Sequence, residues 1–187
     1  MQTNLVKAGI RRFLMVIALA MVVNVALSSM AEAQQSAAGN RTGRFGFGAA
    51  LGIHTDTPDG TALALGIYDD YYLTHEFSIG PLIQMGFTDD LFQVGLSAQA
   101  KFTFAVAGVP ELKPHVQGGM GLIHADLDRR GREEDDTSYL IPLGIGAEYK
   151  LNNAVTLDNT FLFNFTDLDV RDENFFFTWL IGLKFQF

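Results

Sequence analysis

The sequence predicts an all-β fold, a closed antiparallel barrel of about eight strands that crosses a membrane. Three observations carry this prediction. Apolar residues alternate with small or polar ones over most of residues 44–187, which is the period of a β-strand. The apolar rows are rich in Phe, which numbers 16 in 187 residues, and only 18% of the residues are charged. The chain has no Cys, so neither a disulfide framework nor a thiolate metal site is expected.

Residues 1–33 are predicted to be a cleaved signal peptide. Three basic residues precede a largely apolar run over residues 13–27, and Ala31-Glu32-Ala33 supplies a small-x-small cleavage pattern. The alternative is an uncleaved anchor, but the run is shorter than the ~20 residues that a helix needs to span a bilayer. Residues 34–43 are polar or small and are expected to form a flexible lead-in. The barrel domain is expected over residues 44–187.

The clearest predicted strand is the last one. Every second residue of this segment, beginning at Phe175, is apolar or aromatic. The residues between them are mixed and become polar towards the C-terminal end. The residues of the apolar parity are Phe175, Phe177, Trp179, Ile181, Leu183, Phe185 and Phe187.

Seven further segments show the same alternation. In one of them Asp69 breaks an apolar row that begins at Leu63, so this strand is weaker. The segment over residues 112–125 is also weak. The seven segments are residues 45–54, 61–72, 77–87, 92–104, 112–125, 139–150 and 155–165.

The connections between these segments fall into two alternating sets. Three carry little charge and are expected in the periplasm, and four are polar and mostly acidic and are expected outside the cell. The first set comprises residues 72–76, 105–111 and 152–153, and the second comprises residues 55–60, 88–90, 126–137 and 166–173.

The non-aromatic face distinguishes a membrane barrel from a soluble one. A strand face in contact with water is rich in charged residues, whereas this face consists mainly of Gly, Ala, Ser, Thr and Gln. Small residues suit the interior of a narrow barrel of about eight strands, and bulky apolar residues can then contact lipid. Aromatic residues near the strand ends are expected to form two interfacial girdles. These are Phe45, Phe104, Tyr149 and Phe187 on the inner side, and Phe87, Phe92, Tyr139 and Phe165 on the outer side.

Three motifs resemble those of a known group. The terminal Phe185-Gln-Phe187 resembles the C-terminal assembly signal of outer-membrane barrels. The segments Phe77-Ser-Ile-Gly-Pro81 and Gly144-Ile-Gly-Ala-Glu-Tyr149 are similar to those of the small barrels that include OmpA, OmpX and opacity-type proteins. The resemblance implies an integral protein in the outer membrane of a Gram-negative bacterium. Phe185 and Phe187 would then form the assembly signal. The group includes structural barrels, adhesins and enzymes, so the resemblance is weak for activity.

A group of ionisable residues lies on the predicted inward parity near the periplasmic end. We interpret the group as ion pairs that close the lumen, because buried charges are tolerated only when they are paired. The alternative is a gate or a proton-sensitive switch that works through His115. The residues are Lys101, Lys113, His115, Glu148, Lys150, Asp158 and Lys184.

No motif in the sequence indicates catalysis, a cofactor or a metal. The lipid A deacylase barrels have a Ser two residues after a His, and none of the four His in this chain has that neighbour. The acidic segment from Asp126 to Thr137 lacks the Glu that a calcium loop requires at its twelfth position. We therefore expect no enzyme activity, no cofactor and no metal.

The sequence as a whole favours a structural or surface-interacting outer-membrane barrel without an open pore. A narrow channel or transporter for small solutes is the first alternative, and a lipid-modifying enzyme is the second. The expected partners are outer-membrane lipid, lipopolysaccharide and, during biogenesis, the outer-membrane assembly machinery. The formal net charge of −8 disfavours nucleic acid, which requires clustered Lys and Arg. The barrel is expected to be a monomer because closure leaves no unpaired edge.

Overall fold

A computed structural model describes residues 41–57, 59–129, 132–168 and 174–187. The predicted signal peptide and most of the predicted lead-in lie outside these ranges. Within them, no helix is long and apolar enough to cross a bilayer, a finding that does not bear on spanning by strands.

Eight strands make up the fold over the residues that the structure describes, as the sequence predicts. Each begins and ends within about four residues of its predicted position, apart from the sixth strand, which begins seven residues earlier. The strands are β1 (Phe45–Thr57), β2 (Gly60–Tyr72), β3 (Phe77–Phe87), β4 (Leu91–Thr103), β5 (Leu112–Arg129), β6 (Arg132–Lys150), β7 (Val155–Phe165) and β8 (Phe175–Gln186).

The strands form a closed antiparallel barrel. Each strand pairs with the next along the chain, and β1 pairs with β8 to complete the circle. At this seam Gly48 lies opposite Lys184, and Ile53 lies opposite Trp179. Closure leaves no strand edge, which is the condition for a sheet in lipid, where no water is present to satisfy free backbone groups.

The two parities of each strand face opposite sides of the barrel wall. In β4, Leu96 is 57% exposed whereas the neighbouring Ser97 is 2% exposed. In β5, Met120 and Leu122 are exposed, while Ile123 is buried. Bulky apolar side chains therefore face outward and small or polar ones face inward. This arrangement confirms the predicted transmembrane barrel.

The hairpin of β5 and β6 is longer than the sequence predicts. Residues 126–137 were expected to form an acidic loop, but the pairing continues through Leu127 and Glu134 to Arg129 and Arg132. The inward parity explains the extension, because Ala125 and Leu127 are buried like Ile123 before them. The prediction of a loop was wrong here, since charged residues on the other parity do not prevent a backbone ladder.

The interior is packed in layers along the barrel axis. An apolar cluster at the end away from the termini includes Leu168, a residue of the connection between β7 and β8, and Phe176. A second cluster near the middle contains Ala50, Leu162 and Leu180. Polar side chains lie between the two clusters, where Asn164 donates hydrogen bonds to Thr178 (2.8 Å) and to the Phe176 carbonyl (3.4 Å).

Candidate functional site: an ion-pair network in the lumen

Six charged side chains meet in the lumen on the termini side of the central apolar cluster. Three are cations and three are carboxylates, so the group is formally neutral. Five strands and the segment before β1 contribute to it, and every member is buried. The members are Arg41, Asp70, Lys101, Glu148, Asp158 and Lys184.

The two lysines bridge the carboxylates. Lys101 Nζ lies 3.0 Å from Asp70 Oδ2, 3.5 Å from Asp158 Oδ2 and 3.8 Å from Glu148 Oε1. Lys184 Nζ lies 2.9 Å from the same oxygen of Asp70 and also contacts Glu148. Each lysine therefore holds more than one carboxylate.

Arg41 closes the network from the side of the termini. Its Nη1 donates a hydrogen bond of 3.1 Å to Glu148 Oε2. Its guanidinium also lies over the ring of Tyr72, 5.2 Å from the ring centre, a favourable cation–π distance. The end of the predicted flexible lead-in is thus tied into the lumen.

Two tyrosines line the network. Lys184 Nζ donates to Tyr72 Oη (2.7 Å), and Tyr68 Oη donates to Asp158 Oδ2 (2.8 Å). The Lys101 ammonium lies 5.0 Å from the centre of the Tyr68 ring. These contacts provide hydrogen bonds for donor and acceptor atoms that the ion pairs do not use. A buried ionic cluster needs such additional hydrogen bonds to be stable.

Tyr68 lies against Gly48 on the neighbouring strand. A Cβ at Gly48 would be 2.2 Å from the Tyr68 ring, so only glycine leaves room for the ring. Gly48 and Tyr68 are direct partners in the β1–β2 register. An aromatic side chain that covers a glycine on the adjacent strand helps to fix the register of the two strands.

The seven predicted residues of the cluster occupy different positions. Lys101, Glu148, Asp158 and Lys184 belong to the network described above. His115 is buried beside it, with Nε2 3.2 Å from Thr160 Oγ1, and Thr160 in turn donates to Asp158 Oδ1 (2.9 Å). The other two residues are only partly buried and lie outside the network. They are Lys113 and Lys150.

Four members of the site were not predicted as such. Asp70 has the inward parity of a strand whose pattern is interrupted at Asp69, and Arg41 precedes the first alternating segment. Tyr68 and Tyr72 share the parity of Asp70. The sequence therefore points to Tyr68, Asp70 and Tyr72 only through the strand face that they share.

A cavity of about 20 Å³ adjoins the network on the side of the central apolar cluster. That volume is close to what one water molecule occupies. Its wall includes Gln99 and Thr160, and the Oε1 atom of Gln99 has no hydrogen-bond partner within the described ranges. The same ranges contain no group of three side chains suited to a metal ion.

A comparison with protein-family models matches residues 18–187 to the outer membrane protein beta-barrel domain. The chain belongs to this family. The match begins inside the segment predicted to be a signal peptide and continues through all eight strands. It confirms both the predicted resemblance and the predicted location in the outer membrane.

Solved structures share the fold of this outer-membrane barrel at low sequence identity. Neisserial surface protein A has a TM-score of 0.62 and 17% identity, with 80% of this chain and 100% of that chain covered. The N-terminal barrel domain of Pseudomonas aeruginosa OprF has a TM-score of 0.61 and 15% identity at the same coverage. The attachment invasion locus protein Ail of Yersinia pestis, in complex with the heparin analogue sucrose octasulfate, has a TM-score of 0.56 and 12% identity. It covers 78% of this chain and 99% of that chain.

A comparison with curated protein sequences found no match. The family and the fold are therefore known, and the role of this outer-membrane barrel has to be argued from its own residues.

Proposed function

We propose that the protein is a structural or surface-interacting outer-membrane barrel whose lumen is closed to solutes. The observation that carries this proposal is the neutral network of six buried charges, which joins β2, β4, β6, β7 and β8 across the lumen. An apolar layer that includes Leu162 and Leu180 lies directly above it.

Energetics oppose passage through the network. A solute would have to separate buried ion pairs, and breaking one such pair costs about 3–5 kcal/mol when a charge is left without a partner. The adjoining cavity of about 20 Å³ has room for about one water molecule. These features support a closed lumen over the alternative of a narrow channel.

The chemistry of the outer connections favours a cationic partner or one reached through divalent cations. The four outer connections carry 14 acidic and four basic residues. Ail was solved with a sulfated, polyanionic ligand, but the acidic connections of this chain oppose such a ligand. We propose lipopolysaccharide, bridged by divalent cations, as the surface partner, with membrane lipid around the wall and the assembly machinery engaged during biogenesis.

We also propose that the barrel acts as a monomer without enzymatic activity. Closure leaves no unpaired strand edge to recruit a second chain. None of the four His residues is followed two positions later by the Ser that lipid A deacylase barrels carry. An unchanged lipid A mass spectrum on expression is the expected result, and a deacylated or otherwise altered lipid A would contradict it.

Planar-bilayer recording tests the closed lumen. We expect the purified protein to insert without discrete conductance steps. The double variant Leu180→Ala/Lys184→Ala removes a side chain from each of the two blocking layers and serves as the positive control, provided that its electrophoretic mobility before boiling shows that it folds. Reproducible conductance steps from the unmodified protein would overturn the proposal in favour of a channel.

A further inference from the structure

A shallow groove crosses the outer wall of the barrel over strands β1 to β5. Its floor consists of outward-facing residues with short or compact side chains, and bulkier apolar side chains such as Leu96 and Met120 form its rim. The floor residues are Pro81, Ala98, Ala100 and Gly118. Since this surface contacts lipid, the groove is a recess in which an acyl chain can lie.

An acidic side chain lies at one end of the groove. Asp69 is on the outward row of β2 that carries Leu63, Leu65 and Ile67, and it lines the groove. Its carboxylate accepts a hydrogen bond from the backbone N–H of Asp70, and it takes part in none of the ion pairs among the described residues. A carboxylate on the outer wall with no cation beside it keeps its full charge, and this charge points to a cationic ligand.

Asp69 lies where the backbone pairing between β2 and β3 is interrupted. The β2–β3 pairing passes from Tyr68 opposite Leu82 to Tyr71 opposite Ile79, and the pairs between them are missing. Pro81 has no N–H to offer there. A Cβ at Gly80 would be 1.7 Å from the Asp69 carbonyl oxygen, so the two strands approach closely where the ladder is interrupted.

The depth of Asp69 places it next to a lipid headgroup layer. It lies two residues from Tyr71, whose ring contacts that of Phe45 at a centroid distance of 4.8 Å. These two aromatic residues belong to the girdle at the end of the barrel that bears the termini. In outer-membrane barrels this end faces the periplasm.

We propose that the groove binds a phospholipid with a primary ammonium headgroup from the periplasmic leaflet. The ammonium donates a charge-assisted hydrogen bond to Asp69, and one acyl chain lies on the recess formed by Ala98, Ala100 and Gly118. The residues that line the groove include no Lys or Arg, so an anionic headgroup finds no cation there.

A second copy of this chain fits the groove less well. A two-fold interface brings the same patch of both subunits together. Asp69 would then face its own counterpart, and two carboxylates in a low-dielectric setting repel each other. A lipid ammonium neutralises the charge instead.

Carbodiimide coupling in nanodiscs tests the proposal at the level of the atom. In bilayers of phosphatidylethanolamine and phosphatidylcholine, membrane-permeant dicyclohexylcarbodiimide should join the Asp69 carboxyl to the lipid amine. An amide bond forms, and the departing carboxyl oxygen leaves in dicyclohexylurea. We expect the amide on the Asp69 peptide by mass spectrometry, at a higher yield than on Glu76, an exposed carboxylate of the adjacent turn. In bilayers of phosphatidylcholine alone, which has no primary amine, the amide should be absent.

Two results of this experiment would overturn the proposal. One is an N-acylurea at Asp69 in both bilayers, which would show that no amine lies within reach. The other is a cross-linked dimer through Asp69, which would make a second chain the occupant.

Native mass spectrometry of the detergent-extracted barrel gives an independent readout. Asp69→Asn should retain about tenfold less phosphatidylethanolamine than the unmodified protein, because a charge-assisted hydrogen bond is lost. Asp135→Asn is the matched control, since it removes the same charge from an exposed residue at the opposite end of the barrel, and its lipid retention should not change. Equal retention by Asp69→Asn and the unmodified protein would contradict the assignment.

Discussion

Lys184 has the most demanding position of any side chain in the lumen network. It is fully buried, and its ammonium contacts Asp70, Glu148 and the Tyr72 hydroxyl. A buried ammonium is stable only when such partners replace its hydration. The contacts also span the chain, because Asp70 is 114 residues away in sequence. The network therefore exists only once the barrel has closed.

Replacing this lysine should destabilise the barrel strongly. Lys184→Met keeps much of the volume but leaves Asp70 and Glu148 with one cation fewer, at an expected loss of about 3–5 kcal/mol in the free energy of unfolding. Urea titration of the protein in lipid vesicles, followed by the fluorescence of Trp179, measures this loss.

Lys150→Met is the control for the lysine prediction. Lys150 is partly exposed and lies outside the network, so its replacement should change the free energy of unfolding by about 0.5 kcal/mol or less. If both variants lost the same amount, the network would not be a specific source of stability.

Gly48 supports the network indirectly through Tyr68. Gly48→Ala places a methyl group where the Tyr68 ring lies and should displace the hydroxyl from Asp158 (2.8 Å). Overpacking of this kind costs about 1–3 kcal/mol. The same urea titration measures it, with Tyr68→Phe separating the lost hydrogen bond from the steric clash. A Gly48→Ala variant as stable as the unmodified protein would show that the ring has room to move.

Sequence reasoning found part of the network and missed the rest for a physical reason. Lys101 and Asp158 stand out because each is the lone charge on the inward row of its strand. Asp70 does not, since Asp69 beside it blurs which of the two faces inward. Arg41 lies outside every alternating segment, and its pairing with Glu148, 107 residues away, is set by three-dimensional closure alone.

At the scale of the strand, period-two alternation predicts which face each side chain takes. The row containing Leu96 and the row containing Ser97 take the predicted outward and inward faces. Strand ends are harder to predict, because a ladder can continue through charged residues, as it does from Asp126 to Asp135. Hydrogen bonding of the backbone does not depend on the polarity of the side chains it carries.

A charge on the lipid face of β4 should impair assembly. Leu96 lies near the middle of its strand and is 57% exposed on the outer wall. Leu96→Arg is expected to cost about 2–4 kcal/mol, the penalty for arginine near the bilayer midplane. The folded fraction in outer-membrane preparations, read from electrophoresis without boiling, measures the effect.

The control for the β4 prediction uses the lower cost of an arginine near the membrane surface. Leu73 is also exposed but lies in the turn between β2 and β3, where arginine should cost only about 0–1 kcal/mol. Similar yields of the Leu96→Arg and Leu73→Arg variants would contradict the assignment of Leu96 to the hydrocarbon region.

For the molecule as a whole, closure between the first and last strands is the decisive step. The sequence indicates eight strands and an apolar exterior, but nothing in it states how close β1 and β8 come. In the structure a Cβ at Gly182 would be 2.1 Å from the Ala49 carbonyl oxygen, and a Cβ at Gly52 would be 1.6 Å from the Trp179 carbonyl oxygen. Glycine at both positions lets the two strands approach closely enough to pair.

Gly182→Val should therefore prevent closure at this seam. The isopropyl group would collide with the backbone of β1, which cannot move aside as a flexible side chain can. Because a closed barrel keeps its shape in detergent until it is boiled, the variant should lose the mobility difference between unboiled and boiled samples. Gly118→Val is the matched control and should keep the difference, since a Cβ there would meet the terminal methyl group of Leu143 at 3.2 Å and the Pro142 carbonyl oxygen at an ordinary contact distance of 3.9 Å. If Gly182→Val migrated like the unmodified protein in both samples, the seam would tolerate a side chain, and the close approach of β1 and β8 would not be required for closure.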